Sequence, residues 1–507
     1  MALPIRGSNK SLVGNMFFKI LMQSIIGSDE EIAHQISVHE IYRDFQEYPE
    51  RRKYLSAKHW IRAETLALED VNLADILIKN GYVITMDSRR RVLESGSVVI
   101  DDGKISAVGK DIKTKCETTI DARGKAVLPG LINAHTHLAM TLLRGVADDM
   151  PLMEWLEKKI WPIEENLTAD DCYAGALLGS LEMIKSGTTC FADQYFYMED
   201  VARAVEEAGL RAVLSRGIIE LDDPKKRKRT IKEGERLVKN CHGMANGRIL
   251  TMFGPHAAYT CSPECLMQVK ELARKYKVGI HTHISESREE VEMMEKKYGK
   301  RPVEHLDGID FLGPEVLAAH CVWLTKQEIG VIRERGVKPV HNPVSNMKTA
   351  SGVAPIPEML KAGIPVALGT DGAASNNSLD MFNEMKFAAL LSKVHKLDPT
   401  VVPAQAVLEM ATIKGAIALG LQRDIGSLEV GKKADIVLVD LKKPHLAPLH
   451  NVISHLVYSA VGSDVDTVIV DGEVLMRRRK VLTLNEDKVL KDVQKVSDDL
   501  LARGGFK

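Results

Sequence analysis

Short apolar segments alternate with longer stretches of helical pattern through the middle of the chain, from Ala126 to Gly372. We count eight apolar segments, the first covering 126–138, with helical stretches such as 172–187 and 263–278 between them. Strands that alternate with helices form a parallel sheet, and a span of about 250 residues is typical of eight such units closed into a barrel. The sequence therefore predicts an α/β fold with a (β/α)₈ TIM-type barrel.

Polar, potentially reactive side chains stand at the end of nearly every predicted strand. These strand-end residues are His135, His137, Asp193, Arg216, His256, His281, His283, His320, His341, Asn342 and Asp371. In a barrel of parallel strands the carboxyl ends meet on one face, where the active sites of this fold lie. We therefore expect these side chains to form one site.

Patterns of β-hairpins occur on both sides of the barrel. Asn80-Gly81, Asp102-Gly103 and Asp471-Gly472 each stand between apolar runs, and such dipeptides favour two-residue hairpin turns. Because the pattern occurs on both flanks, we expect the flanks to combine into one composite β-sandwich domain.

The predicted domain boundaries follow from these patterns. They are an N-terminal extension of unknown role, expected to be helical (1–70), the composite β-sandwich (71–125 and 425–483), the barrel (126–424) and a C-terminal helix (484–507).

Charge and cysteine content exclude several classes of function. With 68 Lys and Arg against 69 Asp and Glu the net charge is -1, whereas nucleic-acid binding needs a basic excess. Seven cysteines without a C-x-x-C pair indicate reduced thiols of a cytoplasmic protein. The apolar stretch 11–27 is interrupted by Lys19 and Gln23, so we predict no membrane span.

Three histidines and one aspartate have the pattern of a metal site. His135 and His137 are two residues apart on one strand, so both side chains point the same way. His283 follows the fifth strand and Asp371 the eighth. Three imidazole nitrogens and one carboxylate oxygen are typical of a hydrolytic Zn²⁺ or Fe²⁺ site.

Glu286 and His320 complete the predicted chemistry. Glu286 is three residues after His283 and can approach a metal-bound water without being a ligand, while His320 can hydrogen-bond that water. A divalent metal lowers the pKa of water towards about 7, and Glu286 and Asp371 can then move its proton to a leaving group. His281 shares the face of His283, and we expect it to lie behind the ligands.

The segments PGLINAHTHL, HTHISE, AAHC, HNPVSNMK and GTDGAASNN, in this order, resemble the amidohydrolase superfamily. Within that superfamily AMTLLRGVADD, KIWPIEENLT and GTDGAASNNSLDMFNEMK are similar to the 5-methylthioadenosine/S-adenosylhomocysteine deaminases, a group that includes 5'-deoxyadenosine deaminase-like proteins. The resemblance covers about residues 70–480. It implies deamination at C6 of a small-molecule adenine nucleoside and a homo-oligomer, either dimer or tetramer.

The resemblance also implies individual roles. The family's metal ligands fall on His135, His137, His283 and Asp371, its acid on Glu286 and its water-orienting residue on His320. Its nucleoside-binding residues fall on Glu164, which binds ribose, and on Arg216 and His256, and the catalytic Glu286 and Asp371 are also expected to bind the substrate. Binuclear relatives carry a lysine where His256 ends strand four, so one divalent metal per subunit is implied, with Zn²⁺ favoured over Fe²⁺.

Three alternative functions remain open from the sequence. A guanine or other heterocycle deaminase and a triazine hydrolase use the same chemistry, but a free base needs no ribose acceptor such as Glu164. A non-catalytic scaffold would be expected to have lost metal ligands, all of which are present here.

Overall fold

A computed structural model of the chain describes residues 73–506. The predicted N-terminal extension 1–70 and the apolar stretch 11–27 lie outside these residues. Within the described range, no helix is both long enough and apolar enough to cross a membrane.

Two sheets organise this part of the chain. The first begins with β1 (Ala74–Ile84), β2 (Val92–Asp101), β3 (Lys104–Lys110), β4 (Cys116–Asp121) and β5 (Lys125–Pro129). The second consists of β6 (Leu131–Thr136), β7 (Thr188–Tyr195), β8 (Arg211–Ile218), β9 (Ile249–Pro255), β10 (Gly279–Ile284), β11 (Val316–His320), β12 (Lys338–His341) and β13 (Ala367–Leu368). The chain then returns to the first sheet with β14 (Ile436–Asp440), β15 (Val465–Val470), β16 (Glu473–Arg477) and β17 (Lys480–Val481).

Helices connect the strands of the second sheet and follow it. They are α1 (Leu152–Trp155), α2 (Trp161–Glu164), α3 (Ala169–Ser186), α4 (Met198–Ala208), α5 (Pro224–Cys241), α6 (Pro263–Tyr276), α7 (Arg288–Tyr298), α8 (Pro302–Gly308), α9 (Lys326–Arg335), α10 (Pro343–Lys348), α11 (Ile356–Lys361), α12 (Ala373–Asn376), α13 (Met381–Lys396), α14 (Ala404–Met410), α15 (Ile413–Ala418), α16 (Val452–Tyr458) and α17 (Glu486–Arg503). A π-helical turn, Leu156–Ile160, joins α1 to α2.

The second sheet is the predicted (β/α)₈ barrel. Its eight strands are parallel and pair in chain order from β6 to β13. Asn133 and Thr370 join its two ends, because the Asn133 side-chain oxygen accepts the Thr370 backbone N–H at 3.0 Å and its amide nitrogen donates to the Thr370 hydroxyl at 2.7 Å. The Asp371 backbone N–H also donates to the His135 carbonyl at 3.0 Å. These bonds bring the first and last strand ends together.

The first sheet combines strands from both flanks of the barrel, as the sequence predicted for the composite β-sandwich, and is a mixed sheet of nine strands. Its order is β17-β16-β15-β14-β5-β1-β2-β3, with β4 also paired to β1. The two flanks meet where β14 pairs antiparallel with β5. Ile78, Val98, Ile436 and Ile469 are among the buried side chains of its core.

The apolar run 126–138 is divided between the two sheets, whereas the sequence predicted a single barrel strand. β5 belongs to the composite sheet and β6 to the barrel, with Gly130 between them. A Cβ on Gly130 would lie 1.9 Å from the Thr189 hydroxyl oxygen. Only glycine lets the backbone pass from one sheet to the other at this point.

Two of the three predicted hairpin turns are present. Asp102-Gly103 joins β2 to β3 and Asp471-Gly472 joins β15 to β16, with positive φ at all four residues. The prediction for Asn80-Gly81 was wrong, because β1 continues through this dipeptide with a bulge. Asn80 has the left-handed conformation at the bulge, with φ 65. Because β1 continues, it is long enough to pair first with β4 and then with β5.

Candidate active site

The predicted metal ligands meet at the carboxyl end of the barrel. His135 lies near the end of β6 and His137 directly follows it, while His283 lies near the end of β10 and Asp371 follows β13. One ligand atom each from His135, His137 and His283 lie within 4.8 Å of one another, as do atoms of His135, His320 and Asp371.

Backbone carbonyls orient two of the histidine rings. The Nδ1 of His137 lies 2.6 Å from the Gln194 carbonyl, and the Nδ1 of His283 lies 2.8 Å from the His256 carbonyl. A carbonyl oxygen can only accept, so each Nδ1 carries the proton and donates it. Each Nε2 then offers its lone pair to the centre, as is usual for metal-binding histidines.

A longer chain of hydrogen bonds orients His135. The Ser215 hydroxyl donates to the Asp193 carbonyl at 2.8 Å, so it can accept from Nδ1 of His281 at 3.3 Å. The Nε2 of His281 then accepts from Nδ1 of His135 at 2.7 Å. His281 therefore lies behind the ligand, as the sequence predicted, and the His135 Nε2 lone pair is left facing the centre.

The centre fits a divalent metal ion. The His135 Nε2 is fully buried and has no hydrogen-bond partner, which costs free energy unless something occupies the lone pair. Asp371 Oδ1 lies 3.1 Å from Nε2 of His137 and 3.4 Å from Nε2 of His135. Imidazole nitrogens and a carboxylate at this spacing are ligands that divalent transition metals prefer.

Two serines fix the Asp371 carboxylate. Its Oδ2 accepts from the hydroxyls of Ser345 at 2.6 Å and Ser375 at 2.8 Å, which leaves Oδ1 for the centre. Burial raises the pKa of Asp371, but its contacts with His135 and His137 outweigh burial and hold the pKa well below its ordinary value. Asp371 is therefore ionised. The sequence analysis missed both serines, although one lies in the small-residue loop that follows Asp371.

Glu286 and His320 face each other across the cavity beside the metal centre. Glu286 Oε2 lies 3.7 Å from Nε2 of His320, and both residues line the cavity. The Nδ1 of His320 lies 2.9 Å from the Asn346 side-chain oxygen, which directs Nε2 into the cavity. Burial raises the pKa of Glu286, which suits a group that must carry a proton to a substrate.

Glu290 holds the backbone that carries Glu286. One carboxylate oxygen of this buried side chain accepts the Ser285 N–H at 3.0 Å, and the other accepts the Glu286 N–H at 2.7 Å. Ser287 caps α7, the helix that contains Glu290, by accepting the Glu290 N–H. The sequence analysis did not single out Glu290, although its position one helical turn after Glu286 was a signal.

The structure brings Glu164 and His256 into the same cavity. Glu164 ends α2 and accepts a hydrogen bond from the Tyr195 hydroxyl at 2.7 Å, a contact that the sequence analysis missed. Burial raises the pKa of Glu164 to about 7. His256 lies within hydrogen-bond distance of the Thr260 hydroxyl, and burial lowers its pKa to about 3, so its ring is neutral.

Arg216 lies apart from the other predicted site residues. It lines a second, outer cavity and forms an ion pair with Glu233 at 2.7 Å. Trp161, Glu164, Phe196, Gly217 and Ile219 line both cavities, so the outer cavity adjoins the inner one.

Comparison with known families agrees with this geometry. A profile of the amidohydrolase family matches residues 126–475, more than half of the chain. The chain belongs to the amidohydrolase family. The resemblance inferred from its motifs is therefore confirmed.

Two kinds of nucleoside deaminase are among the relatives of this amidohydrolase. It is 56% identical over 431 residues to a 5'-deoxyadenosine deaminase of Methanosarcina mazei, covering 85% of this chain and 99% of the relative. It is 49% identical over 428 residues to a 5-methylthioadenosine/S-adenosylhomocysteine deaminase of Caldanaerobacter subterraneus, covering 84% and 99%.

Solved structures of other amidohydrolases share the fold. A zinc-bound adenosine deaminase from Xanthomonas campestris superposes with a TM-score of 0.81 at 36% identity, covering 85% of this chain and 99% of that one. A zinc complex of atrazine chlorohydrolase from Arthrobacter aurescens superposes with a TM-score of 0.78 at 28% identity, covering 83% and 100%.

Proposed function

We propose that this amidohydrolase removes the C6 amino group of 5'-substituted adenosines, giving the inosine analogue and ammonia. The substrate class comprises 5'-deoxyadenosine, 5-methylthioadenosine, S-adenosylhomocysteine and adenosine. The observation that carries the proposal is one cavity that holds both the metal centre with Glu286 and, on another wall, the Glu164 carboxylate. Deaminase relatives that match along nearly their whole length support it.

One zinc ion per subunit is the proposed cofactor, held by His135, His137, His283 and Asp371. A bound divalent metal acidifies water and so supplies a nucleophile at neutral pH. The zinc present in the structures of two relatives supports this identity. β9 ends in Pro255 followed by His256, with no lysine at that point, which supports a single ion.

The protein's own residues carry the proton transfers. Asp371 is ionised and accepts a proton from the attacking water, while Nε2 of His320 holds that water in place. Glu286, whose pKa is raised by burial, donates a proton to a ring nitrogen of the adenine as the water oxygen bonds to C6. The proton taken from the water then passes from Asp371 to the amino group, which leaves as ammonia, while the C6 hydroxyl gives its remaining proton back to Glu286 and becomes the carbonyl of the inosine product.

Glu164 and His256 orient the nucleoside in this proposal. Glu164 accepts hydrogen bonds from the ribose hydroxyls, and its Tyr195 contact fixes the carboxylate for that task. The neutral His256 ring lines the same cavity. A free purine base or a triazine has no ribose, so guanine deamination and triazine hydrolysis would leave Glu164 without a role.

Ammonia release tests the proposal directly. We expect the zinc-loaded protein to release ammonia from the four adenosines but not from guanine, and to release no chloride from a chlorotriazine. Glu286→Gln should keep its zinc, measured by elemental analysis, and lose at least about 100-fold in kcat because the acid is absent. Glu289→Gln, which changes an exposed neighbouring carboxylate, is the matched control and should retain activity. Full activity of Glu286→Gln would refute the mechanism, and a metal-loaded protein that releases no ammonia would favour a non-catalytic scaffold.

Homo-oligomerisation and cytoplasmic location remain predictions. All seven cysteines are free in the structure, and six are buried, which is compatible with a reducing compartment. Light scattering after size exclusion would give the mass of the assembly, for which we expect two or four subunits.

A further inference from the structure

Arg216 lines the outer cavity and is engaged there in an ion pair. Arg216 lies near the carboxyl end of β8. One of its terminal nitrogens lies 2.7 Å from a carboxylate oxygen of Glu233 on α5. Its guanidinium also lies over the Phe196 ring, 4.9 Å from the centroid. The arginine side chain is held in place, and its charge is already balanced before any ligand arrives.

The outer cavity begins where the proposed ribose-binding residue lies. It has a volume of about 620 Å³, and Glu164 lines both it and the inner cavity. With the adenine ring at the metal centre and the ribose hydroxyls on Glu164, the sugar faces the outer cavity. The 5' substituent of the nucleoside would therefore enter the space lined by Arg216 and Glu233.

Carboxylates lie beside the arginines of this outer cavity, although Arg216 and Arg229 share Glu233 and Lys226 also lines the cavity. Arg216 pairs with Glu233, Arg236 pairs with Glu199 at 2.7 Å, and Arg229 lies 4.0 Å from Glu233. A negatively charged 5' substituent would have to compete with Glu233 for Arg216 and would meet its like charge. An uncharged substituent incurs neither cost. Like charges brought together at a binding surface discriminate strongly between ligands.

We propose that Glu233 is a specificity-determining residue, which neutralises Arg216 and so selects adenosines whose 5' substituent carries no carboxylate. This inference rests on the proposed deaminase function and narrows its substrate class. It assigns 5'-deoxy and 5'-alkylthio nucleosides as preferred over those that end in an amino acid.

Two nucleosides that differ by a single carboxylate test the inference. S-Adenosylhomocysteine and its decarboxylated analogue, with a 3-aminopropylthio group at the 5' position, have the same thioether chain and the same amine. We expect the wild-type protein to give a kcat/KM at least as high for the decarboxylated compound. Glu233→Gln releases Arg216 and should raise the kcat/KM ratio of the carboxylate compound to its analogue by about tenfold, which corresponds to about 1.4 kcal/mol.

Three further variants make the result specific. Glu233→Asp keeps the charge and should keep the wild-type ratio. Glu235→Gln, on the same helix but bonded to Tyr276 and Lys239, should also leave the ratio unchanged. Adding Arg216→Gln to Glu233→Gln should return the ratio towards the wild-type value, because no released guanidinium remains.

The outcomes separate this inference from the proposed function. A wild-type preference for the carboxylate compound, or an unchanged ratio in Glu233→Gln, would overturn the role of Glu233 while leaving the deaminase function intact. Absence of ammonia release from every adenosine would instead overturn the proposed function itself. Thermal unfolding of each variant, compared with that of wild type, identifies any variant that is misfolded. If Glu233→Gln is misfolded, a folded Glu233→Asp protein with the wild-type ratio would support the role of the charge, and one with a raised ratio would contradict it.

Discussion

Three residues around the candidate site have left-handed backbone angles although none is glycine. They are Ser285 at φ 53, His320 at φ 71 and Asp371 at φ 63. Such conformations cost on the order of 1–3 kcal/mol each and persist only where surrounding contacts impose them. Here the contacts are visible, since Glu290 holds the Ser285 N–H and the His135 carbonyl holds the Asp371 N–H. The site is therefore preorganised at the expense of stability.

Glu290→Gln tests this preorganisation. The amide offers one acceptor where the carboxylate offers two, and its NH₂ group would face a backbone N–H. We expect kcat to fall about 10- to 100-fold with little change in KM, because Glu286 is displaced from its substrate atom. The unfolding free energy should fall by about 1–3 kcal/mol. Glu292→Gln, which alters an exposed carboxylate on the same helix, should change neither quantity.

A pH profile tests the role of Glu164. Burial raises the pKa of this carboxyl to about 7, and the Tyr195 hydroxyl opposes that rise. The ionised form accepts ribose hydroxyls, so kcat/KM should increase as pH rises through about 7. Tyr195→Phe removes the hydrogen bond that lowers the pKa of Glu164, so the rising limb of the pH profile should move to higher pH. With 2',3'-dideoxyadenosine, which lacks both hydroxyls, the limb should be absent, and its persistence would contradict the assignment.

At the scale of elements, the hydrogen-bonded pair of Asn133 and Thr370 closes the barrel. Both side chains are fully buried. Thr370→Val keeps the shape but leaves the Asn133 amide without its acceptor, so the unfolding free energy should fall by about 1–3 kcal/mol. Thr370→Ser retains the hydroxyl and should lose less. Denaturant titration measures both, and equal losses would show that the methyl group rather than the hydrogen bond matters.

The sequence predicted elements best where local chemistry alone determines them. The turns at Asp102-Gly103 and Asp471-Gly472 need only residues that tolerate positive φ, and both form. Asn80-Gly81 has the same local preference, but pairing of β1 with β4 and β5 turns it into a bulge. The division at Gly130 likewise depends on contact with Thr189, which lies about 60 residues away and leaves no local signal.

In the candidate site too, the sequence predicted the residues that have a local pattern and missed those that depend on distant contacts. Residues that touch the metal centre have a recognisable type and spacing, as in His135 and His137 or His283 and Glu286. The residues that hold the site residues in position, such as Tyr195, Ser345 and Glu290, are ordinary polar residues. Their partners are determined by the packing of strands and helices. Arg216 was placed by its strand-end position, but its pairing with Glu233 required the position of α5.

At the scale of the molecule, a buried ion pair joins the barrel to the composite sheet. Arg211, the first residue of β8, donates to both oxygens of Asp435 at 2.8 and 3.0 Å, and Asp435 also accepts the Asp471 N–H. Both side chains are almost completely buried. Such a pair orients the two units, since neither charge can remain there alone.

Arg211→Met should cost about 3–5 kcal/mol of unfolding free energy because it leaves Asp435 buried without its partner. Arg211→Met combined with Asp435→Leu should cost less than the single change. Arg123→Met, in the exposed pair with Asp121, is the control and should leave the stability essentially unchanged. If the double variant were the less stable of the two, Asp435 would stabilise the protein independently of Arg211, for example by accepting the Asp471 N–H, and the prediction would be wrong.

The pairing of β5 with β14 also bears on synthesis. These strands are neighbours in the sheet, yet the whole barrel lies between them in the chain, about 300 residues that a ribosome adds in roughly 15–60 s. During that interval β5 presents an open edge that could pair with other nascent chains. The barrel can assemble first, and the composite sheet is completed only after β14 emerges. Recombinant yield should therefore depend on chaperones and growth temperature more than the stability of the finished protein would suggest.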